Sequence, residues 1–143
     1  MKKIKHIGFA IMLLLMSACG NSYDQTVEIE TLGNQMKFNV VTIKAEPNTK
    51  ILLKFTNNAT MPIMKHNIIV LNDENAIDEV GKAAINAIDN RPNHPSIIAA
   101  SNLIGPGEYT ELEVNIPDKK GVYPYICTFP GHYQVMQGKI IVK

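Results

Sequence analysis

The segment from Cys127 to Met136 constrains this chain more than any other part of the sequence. It places a cysteine, a histidine and a methionine in one short run, as Cys127, His132 and Met136, with Pro130 and Gly131 between the first two. Proline fixes one backbone angle and glycine permits a left-handed one, so these few residues can turn back on themselves. The three side chains can therefore face a common point beside the rest of the fold.

The chemical types of these side chains indicate a copper site. A thiolate and two imidazoles in a trigonal plane, with a long axial thioether, bind copper in blue electron-transfer sites. The loop supplies three of these four ligands. His66, at the start of an apolar run far away in the sequence, is the expected fourth. We therefore predict one copper ion per chain, cycling between Cu(II) and Cu(I), with His66, Cys127, His132 and Met136 as ligands.

Each of these residues has an alternative interpretation. Cys127 could be a buried and inert thiol, and His66 could be a core histidine held by hydrogen bonds. Zinc also suits a Cys-His-His set. Asn67 is predicted to link the two ligand loops through its side-chain amide and to steady the thiolate, the alternative being an exposed turn residue. His94 is interpreted as a surface loop residue, because no partner ligand lies at a recognisable spacing.

The N-terminus has the pattern of an export signal. Three lysines among the first five residues precede an apolar run that ends at Met16, and Ser17-Ala18-Cys19 follows. The run is too short for a transmembrane helix. Small residues before a cysteine resemble the lipobox of bacterial lipoproteins. We predict a signal peptide over residues 1–18 and a lipid on Cys19, the alternative being an ordinary cleaved signal. The protein would be exported and lipid-anchored to a bacterial membrane, in the periplasm or otherwise outside the cytoplasmic membrane.

The remaining 125 residues suffice for one domain, which we place at residues 26–143 after a short linker over residues 19–25. Without the three N-terminal lysines, 11 basic residues stand against 13 acidic ones, a net charge of about −2. Arg91 is the only arginine of the chain. The basic surface that a nucleic-acid-binding protein needs is therefore missing. If Cys19 carries lipid, Cys127 is the only thiol left, which excludes a structural disulfide.

Short alternating strands separated by turn residues predict an all-β fold, a Greek-key sandwich or barrel. The expected strands cover residues 26–30, 37–45, 50–56, 67–71, 108–116, 121–127 and 138–142. One segment differs, because apolar residues between Asp73 and Asp89 recur at helical spacing, with Asn72 or Asp73 as a cap. We therefore expect one helical insertion between strands.

Several motifs together resemble the azurins, small blue-copper proteins of the cupredoxin family. The resemblance covers nearly the whole mature chain and rests on Cys-Thr-Phe-Pro-Gly-His at residues 127–132 with Met136 at the right distance. It also rests on residues 33–39, 64–67 and 103–108.

The resemblance implies an eight-stranded Greek-key sandwich in which the helical insertion is the family's flap. His66, Cys127 and His132 would be equatorial ligands and Met136 the axial one. The electron would leave through the edge of His132, inside an apolar patch that docks partners. The matching positions of that patch are Met36, Met64, Phe129, Pro130 and Val135. Azurins carry glycine before the first histidine, with its carbonyl near copper; here Lys65 stands there, and its carbonyl would be the weak fifth ligand.

These features predict a one-electron carrier of the bacterial cell envelope, and not an enzyme. The resemblance to azurins implies redox partners such as a cytochrome c, an oxidase, a nitrite reductase or a peroxidase, and the lipid on Cys19 would add the membrane. We expect a monomer or a weak oligomer and no nucleic acid. The alternative is a copper-binding protein for copper delivery or tolerance, but the four mature methionines are not clustered. A copper oxidase needs a further copper centre, and only His94 remains to build one.

Overall fold

The computed structural model of this chain describes residues 22–143, which form two facing β-sheets and one α-helix. The elements are β1 (Gln25–Glu30), β2 (Thr42–Ala45), β3 (Lys50–Thr56), β4 (Ile69–Leu71), α1 (Ile77–Ala84), β5 (Ile97–Ala100), β6 (Tyr109–Asn115), β7 (Gly121–Ile126) and β8 (Gln137–Val142). The smaller sheet has the order β1-β3-β6 and the larger sheet the order β2-β8-β7-β4-β5. The prediction of an eight-stranded sandwich with one helical insertion is confirmed.

The predicted signal peptide, the lipid on Cys19 and residues 19–21 of the predicted linker lie outside the described residues. Within residues 22–143, no helix has the length and apolar character needed to cross a membrane.

Two strand predictions need correction. The predicted strand over residues 37–45 is regular only from Thr42, because Phe38 instead forms a single bridge with Thr31 across a local turn. Strand β5 was missed, since its apolar residues do not alternate with polar ones. β5 pairs antiparallel with β4, where it forms an edge of the larger sheet.

The core lies between the two sheets and contains the inward-facing residues of both. Ile51, Leu53 and Phe55 alternate along β3 and are fully buried. The ring of Phe38 packs between the sheets, with its centroid 5.8 Å from that of Phe55 and 5.4 Å from that of Tyr125. The copper-ligand candidates Cys127 and Met136 belong to this same core, so the site is packed into the end of the sandwich.

The helical insertion covers the outer face of the larger sheet. It is shorter than the predicted range of residues 73–89, because a 3-10 turn precedes α1 and another follows it. The Asp73 side chain accepts a hydrogen bond from the Asn75 amide, as predicted for a cap. Val80 of α1 packs on Ile69 and Leu71 of β4. Strand β4 is thus buried on both faces, which explains its continuous apolar sequence.

Candidate metal centre

Three side chains from two distant parts of the chain converge at one end of the sandwich. The Nδ1 atoms of His66 and His132 lie 3.2 Å apart, and the Cys127 Sγ lies 3.7 Å from the first and 3.6 Å from the second. His66 and Cys127 are fully buried, and His132 is 5% exposed. Among the described residues, these form the one group of three histidine, cysteine or acidic side chains close enough to share a metal ion.

The dimensions of this triangle fit a metal ion of copper or zinc size. A triangle with these three sides has a centre about 2 Å from each corner, close to the roughly 2.0–2.3 Å at which histidine and cysteine bind such ions. The alternative of a hydrogen-bonded core histidine is not supported for His66. Its Nε2 atom has no hydrogen-bond partner among the described residues. Its Nδ1 atom lies near only the Cys127 Sγ and the His132 Nδ1 atoms.

The protonation equilibria of the three groups favour neutral side chains in the metal-free protein. Burial and, to a smaller extent, the neighbouring His132 together lower the pKa of His66 to about 4. Burial also lowers the pKa of His132. Burial raises the pKa of the Cys127 thiol to about 11. Both imidazoles therefore offer a free lone pair at neutral pH, whereas Cys127 must lose a proton before it can bind a metal.

Two backbone amides moderate the cost of that deprotonation. The N–H groups of Asn67 and Phe129 donate hydrogen bonds to the Cys127 sulfur, which lowers the pKa of the thiol against the larger effect of burial. A thiolate gains more from such donors than a thiol does. The Asn67 side-chain amide was predicted to steady the sulfur, whereas the Asn67 contact with the sulfur is made by its backbone amide.

The side chain of Asn67 joins the two ligand loops. Its Oδ1 accepts a hydrogen bond of 2.8 Å from the Thr128 amide, and its Nδ2 donates one of 2.9 Å to the Thr128 hydroxyl. Asn67 and Thr128 are fully buried, and each directly follows a candidate ligand. The link therefore holds His66 and Cys127 in a constant relative position.

The ligand loop is also closed by its own backbone. The Met136 amide donates to the His132 carbonyl at 2.8 Å, and the Cys127 amide donates to the Met136 carbonyl at 3.0 Å. Met136 is fully buried in the core beside Cys127. Main-chain hydrogen bonds thus connect the three candidate ligands of this loop, Cys127, His132 and Met136.

The sequence analysis missed Asn57, which holds the segment before His66. This fully buried residue donates from Nδ2 to the carbonyls of Met64 and Ile104, at 2.8 and 3.3 Å. Ile104 in turn exchanges two backbone hydrogen bonds with His66. The available signal was a polar residue directly after the apolar strand β3.

Lys65 and His94 lie outside the triangle. The Lys65 amide donates to the Ile63 carbonyl at 3.0 Å, and its side chain is exposed. His94 lies in the loop after the helical insertion, as predicted. Its side chain is only 13% exposed, which is less than expected for a surface residue. Its Nε2 lies 3.3 Å from a Glu79 carboxylate oxygen, and its Nδ1 accepts from the Ser96 amide. His94 therefore fastens this loop to α1.

The residues of the predicted apolar patch all lie in loops, outside the strands and the helix. Val135 is 58% exposed and Met36 is 40% exposed. Pro130 is exposed as well, while Met64 and Phe129 are half-buried. The Phe129 ring packs edge-on against His132, with their centroids 5.0 Å apart. In the segment just before His66, two residues that the sequence analysis did not name are more exposed than Met36: Met61 at 51% and Ile63 at 68%.

Comparison with known proteins agrees with this geometry. Residues 25–143 match the profile of the copper binding proteins of the plastocyanin/azurin family. Auracyanin-A of Chloroflexus aurantiacus is 31% identical over 92% of this chain and 91% of its own. Its solved structure, described as a blue copper protein, has a TM-score of 0.75 and covers 82% of this chain and 98% of that one.

Two further relatives come from other bacteria. Azurin of Alcaligenes faecalis is 32% identical over 79% of this chain and 95% of its own. Outer membrane protein H.8 of Neisseria gonorrhoeae is 34% identical over 75% of this chain, which spans 62% of that protein. The azurins and auracyanins are blue-copper electron carriers rather than enzymes, and His66, Cys127, His132 and Met136 are positioned as a single copper site. With a profile match over residues 25–143, this chain belongs to the plastocyanin/azurin family of copper-binding proteins.

Proposed function

We propose that this electron carrier works in the bacterial cell envelope, with His66, Cys127 and His132 as equatorial copper ligands and Met136 as a weak axial ligand. The observation that carries the proposal is the triangle of Nδ1, Nδ1 and Sγ atoms, whose centre lies about 2 Å from each atom. The bound copper would supply the one-electron change between Cu(II) and Cu(I). The backbone carbonyl of Lys65 is proposed as a further, weaker contact.

The role of the protein is to hold these ligands still. Cu(II) and Cu(I) favour different geometries, so a site that cannot relax between them lowers the rearrangement that accompanies electron transfer. The link between Asn67 and Thr128 and the main-chain hydrogen bonds of Met136 support this role. The core around Cys127 and Met136 excludes water and leaves these side chains little freedom.

We propose that partners dock on an apolar surface around His132, through which the electron leaves. This docking surface consists of Met36, Met64, Phe129, Pro130 and Val135, and we extend it to Met61 and Ile63. Asn34 connects two of its loops, because its Oδ1 accepts from the amides of Thr60 and Met61 at 2.8 and 3.0 Å. Exposed apolar residues held on ordered loops suit a small, transient redox interface. The proposed partners are a cytochrome c, an oxidase, a nitrite reductase or a peroxidase.

We further propose that a lipid on Cys19 anchors the protein to a membrane. The support is the lipobox-like sequence and the similarity to a protein named for the outer membrane. Mass spectrometry of the protein purified from membranes tests this proposal. A lipid mass on an N-terminal Cys19 and release of a Cys19→Ser variant into the soluble fraction are expected. An unmodified N-terminus at another residue would contradict the anchor.

The copper ligands are tested by visible absorption of the copper-loaded protein beside Cys127→Ser and Met136→Ala. We expect an intense copper–thiolate band that disappears with Cys127→Ser and only shifts or weakens with Met136→Ala. A protein that binds copper tightly but stays colourless would overturn the electron-carrier site and favour copper delivery or tolerance.

The docking surface is tested by electron self-exchange between two copies, measured from NMR line broadening in mixtures of oxidised and reduced protein. Val135→Ser is expected to slow exchange several-fold because it removes apolar area from the interface. Val122→Ser is the matched control: Val122 is also an exposed valine, but it lies at the opposite end of β7 from the ligand loop. Equal rates in both variants would contradict the location of the docking surface.

A further inference from the structure

Tyr133, the residue directly after His132, packs face-on against the backbone of α1. A Cβ atom added to Gly81 would lie only 2.3–2.5 Å from three atoms of the Tyr133 ring. Contacts this short do not occur, so the ring can occupy its position only because residue 81 has no side chain. Tyr133 is 8% exposed and packs with Val80 of the helix and Ile126 of β7. The ligand loop and the helix are therefore in direct contact.

Polar contacts fix Tyr133 at two further atoms. Its hydroxyl donates to the Asp78 carboxylate at 3.1 Å, and its carbonyl accepts from the Gln137 side chain at 2.7 Å. Asp78 is itself held by the Lys82 ammonium at 2.6 Å, one helical turn further on. Tyr133, next to His132, is thus held in place by contacts of its ring, its hydroxyl and its main-chain carbonyl.

The other end of the insertion is attached to the start of the ligand loop. The Asn90 carbonyl accepts a hydrogen bond of 2.6 Å from the Thr128 hydroxyl. The Asn90 side chain donates to the Ala84 carbonyl at the end of α1 at 2.9 Å. Asp89 and Asn90 both have left-handed backbone angles, with φ of 51° and 53°, which direct the chain back toward the loop. The insertion therefore contacts the residue after Cys127 and the residue after His132.

We propose that the helical insertion, residues 73–91, is a brace that holds the copper-ligand loop in its metal-binding shape, with Gly81 and Tyr133 as positioning residues. The effect of this brace on electron transfer rests on the proposed function, whereas its effect on the shape of the metal-free loop does not. The brace acts through His132 and the loop backbone, and neither residue touches the metal. It keeps the loop formed in the metal-free protein and restricts its rearrangement between the two oxidation states.

Two substitutions in α1 distinguish the contact between the helix and the ligand loop from the stability of the helix itself. Alanine is a better helix former than glycine, so Gly81→Ala would strengthen an isolated α1 but displaces Tyr133. Ala83→Gly is the matched control, because Ala83 is exposed on the same helix and the substitution weakens helix formation without touching the loop. Tyr133→Phe removes only the hydroxyl bond to Asp78.

The first measurement is amide hydrogen exchange in the metal-free protein, which does not depend on copper. Gly81→Ala is expected to speed exchange at the Val135 and Met136 amides, which both donate to the His132 carbonyl, by about tenfold or more. Tyr133→Phe is expected to act in the same direction but less strongly, and Ala83→Gly to leave both amides unchanged. Unchanged exchange in Gly81→Ala, or equal effects of Gly81→Ala and Ala83→Gly, would overturn the brace.

The second measurement is on the copper-loaded protein. Gly81→Ala is expected to shift the visible copper–thiolate band and to slow electron self-exchange at least several-fold, while Ala83→Gly retains the parent spectrum and rate. A Gly81→Ala spectrum and rate identical to those of the parent would overturn the proposed effect on the copper site. If the parent itself shows no copper–thiolate band, the proposed function fails, and the amide exchange still decides whether the brace exists.

Discussion

Asn67 and Thr128 exchange two hydrogen bonds across 61 residues of sequence, so that the residue after His66 is joined to the residue after Cys127. Both residues are fully buried, and water cannot replace either bond. A buried amide left without a partner costs more than the bond contributes when it is formed. This pair therefore fixes His66 relative to Cys127 through one side chain, in addition to the pairing of β4 with β7.

Replacing that side chain should destabilise the fold. Asn67→Ala leaves the buried Thr128 amide without an acceptor, and we expect a loss of about 2–4 kcal/mol in the free energy of unfolding. Urea unfolding of the metal-free protein measures it. Asn58→Ala is the control, because the Asn58 side chain bonds Glu30 at the surface, and about 0.5 kcal/mol or less is expected there. Equal losses in the two variants would contradict the role given to Asn67.

The metal-free protein should lose stability in mild acid. The pKa of His66 is about 4 in the folded chain, and an unfolded histidine has a pKa near 6.5. Between these pH values the unfolded chain binds more protons, so the free energy of unfolding falls as the pH falls through this window and is independent of His66 above it. The contribution of His66 is at most about 3 kcal/mol.

Urea unfolding of the metal-free protein at pH 7.5 and pH 4 checks this expectation. His66→Gln cannot gain the proton, so its stability should fall less over the same interval. The interpretation would be wrong if the parent and His66→Gln lost the same free energy of unfolding.

Copper uptake at neutral pH should release one proton per ion. Burial raises the pKa of Cys127 to about 11, so the thiol is protonated in the metal-free protein, whereas both imidazoles are already neutral. Calorimetric titration with Cu(II) in two buffers of different ionisation enthalpy counts the protons. Cys127→Ser should release about none, and absence of release from the parent would mean that the thiolate is already formed.

Gly138→Ala should disrupt the core behind the site. Gly138 pairs directly with Tyr125 across β7 and β8, and an added Cβ would lie 2.1 Å from the Tyr125 ring. Overpacking of this kind costs about 1–3 kcal/mol or more in the free energy of unfolding. Thermal or urea unfolding measures it. At Gly105 an added Cβ would be 3.4 Å from the flexible Glu108 carboxylate, so Gly105→Ala should cost much less. Similar costs at both positions would refute the close packing of Tyr125.

Much of the fold followed from local patterns. Strand β3 has the predicted bounds, because alternation and flanking turn residues both lie within a few positions. Strand β5 was missed because its pairing with β4, rather than its own sequence, makes it a strand. The helical insertion was predicted too long, because 3-10 turns at Glu74–Ala76 and Ile88–Asn90 flank α1, and apolar spacing alone does not distinguish them from α-helix.

The sequence by itself determined the copper chemistry of this protein. The types and spacing of Cys127, His132 and Met136 are local properties, and His66, at the start of an apolar run, was the histidine expected to complete the set. The resemblance to azurins added the equatorial and axial roles of these ligands and identified the helical insertion as the flap. Only the tertiary structure decided that Asn57 supports the His66 segment, that the Asn67 backbone donates to the Cys127 sulfur and that Tyr133 packs on Gly81. These relationships join residues far apart in the chain, and their geometry depends on how the sheets and the helix pack together.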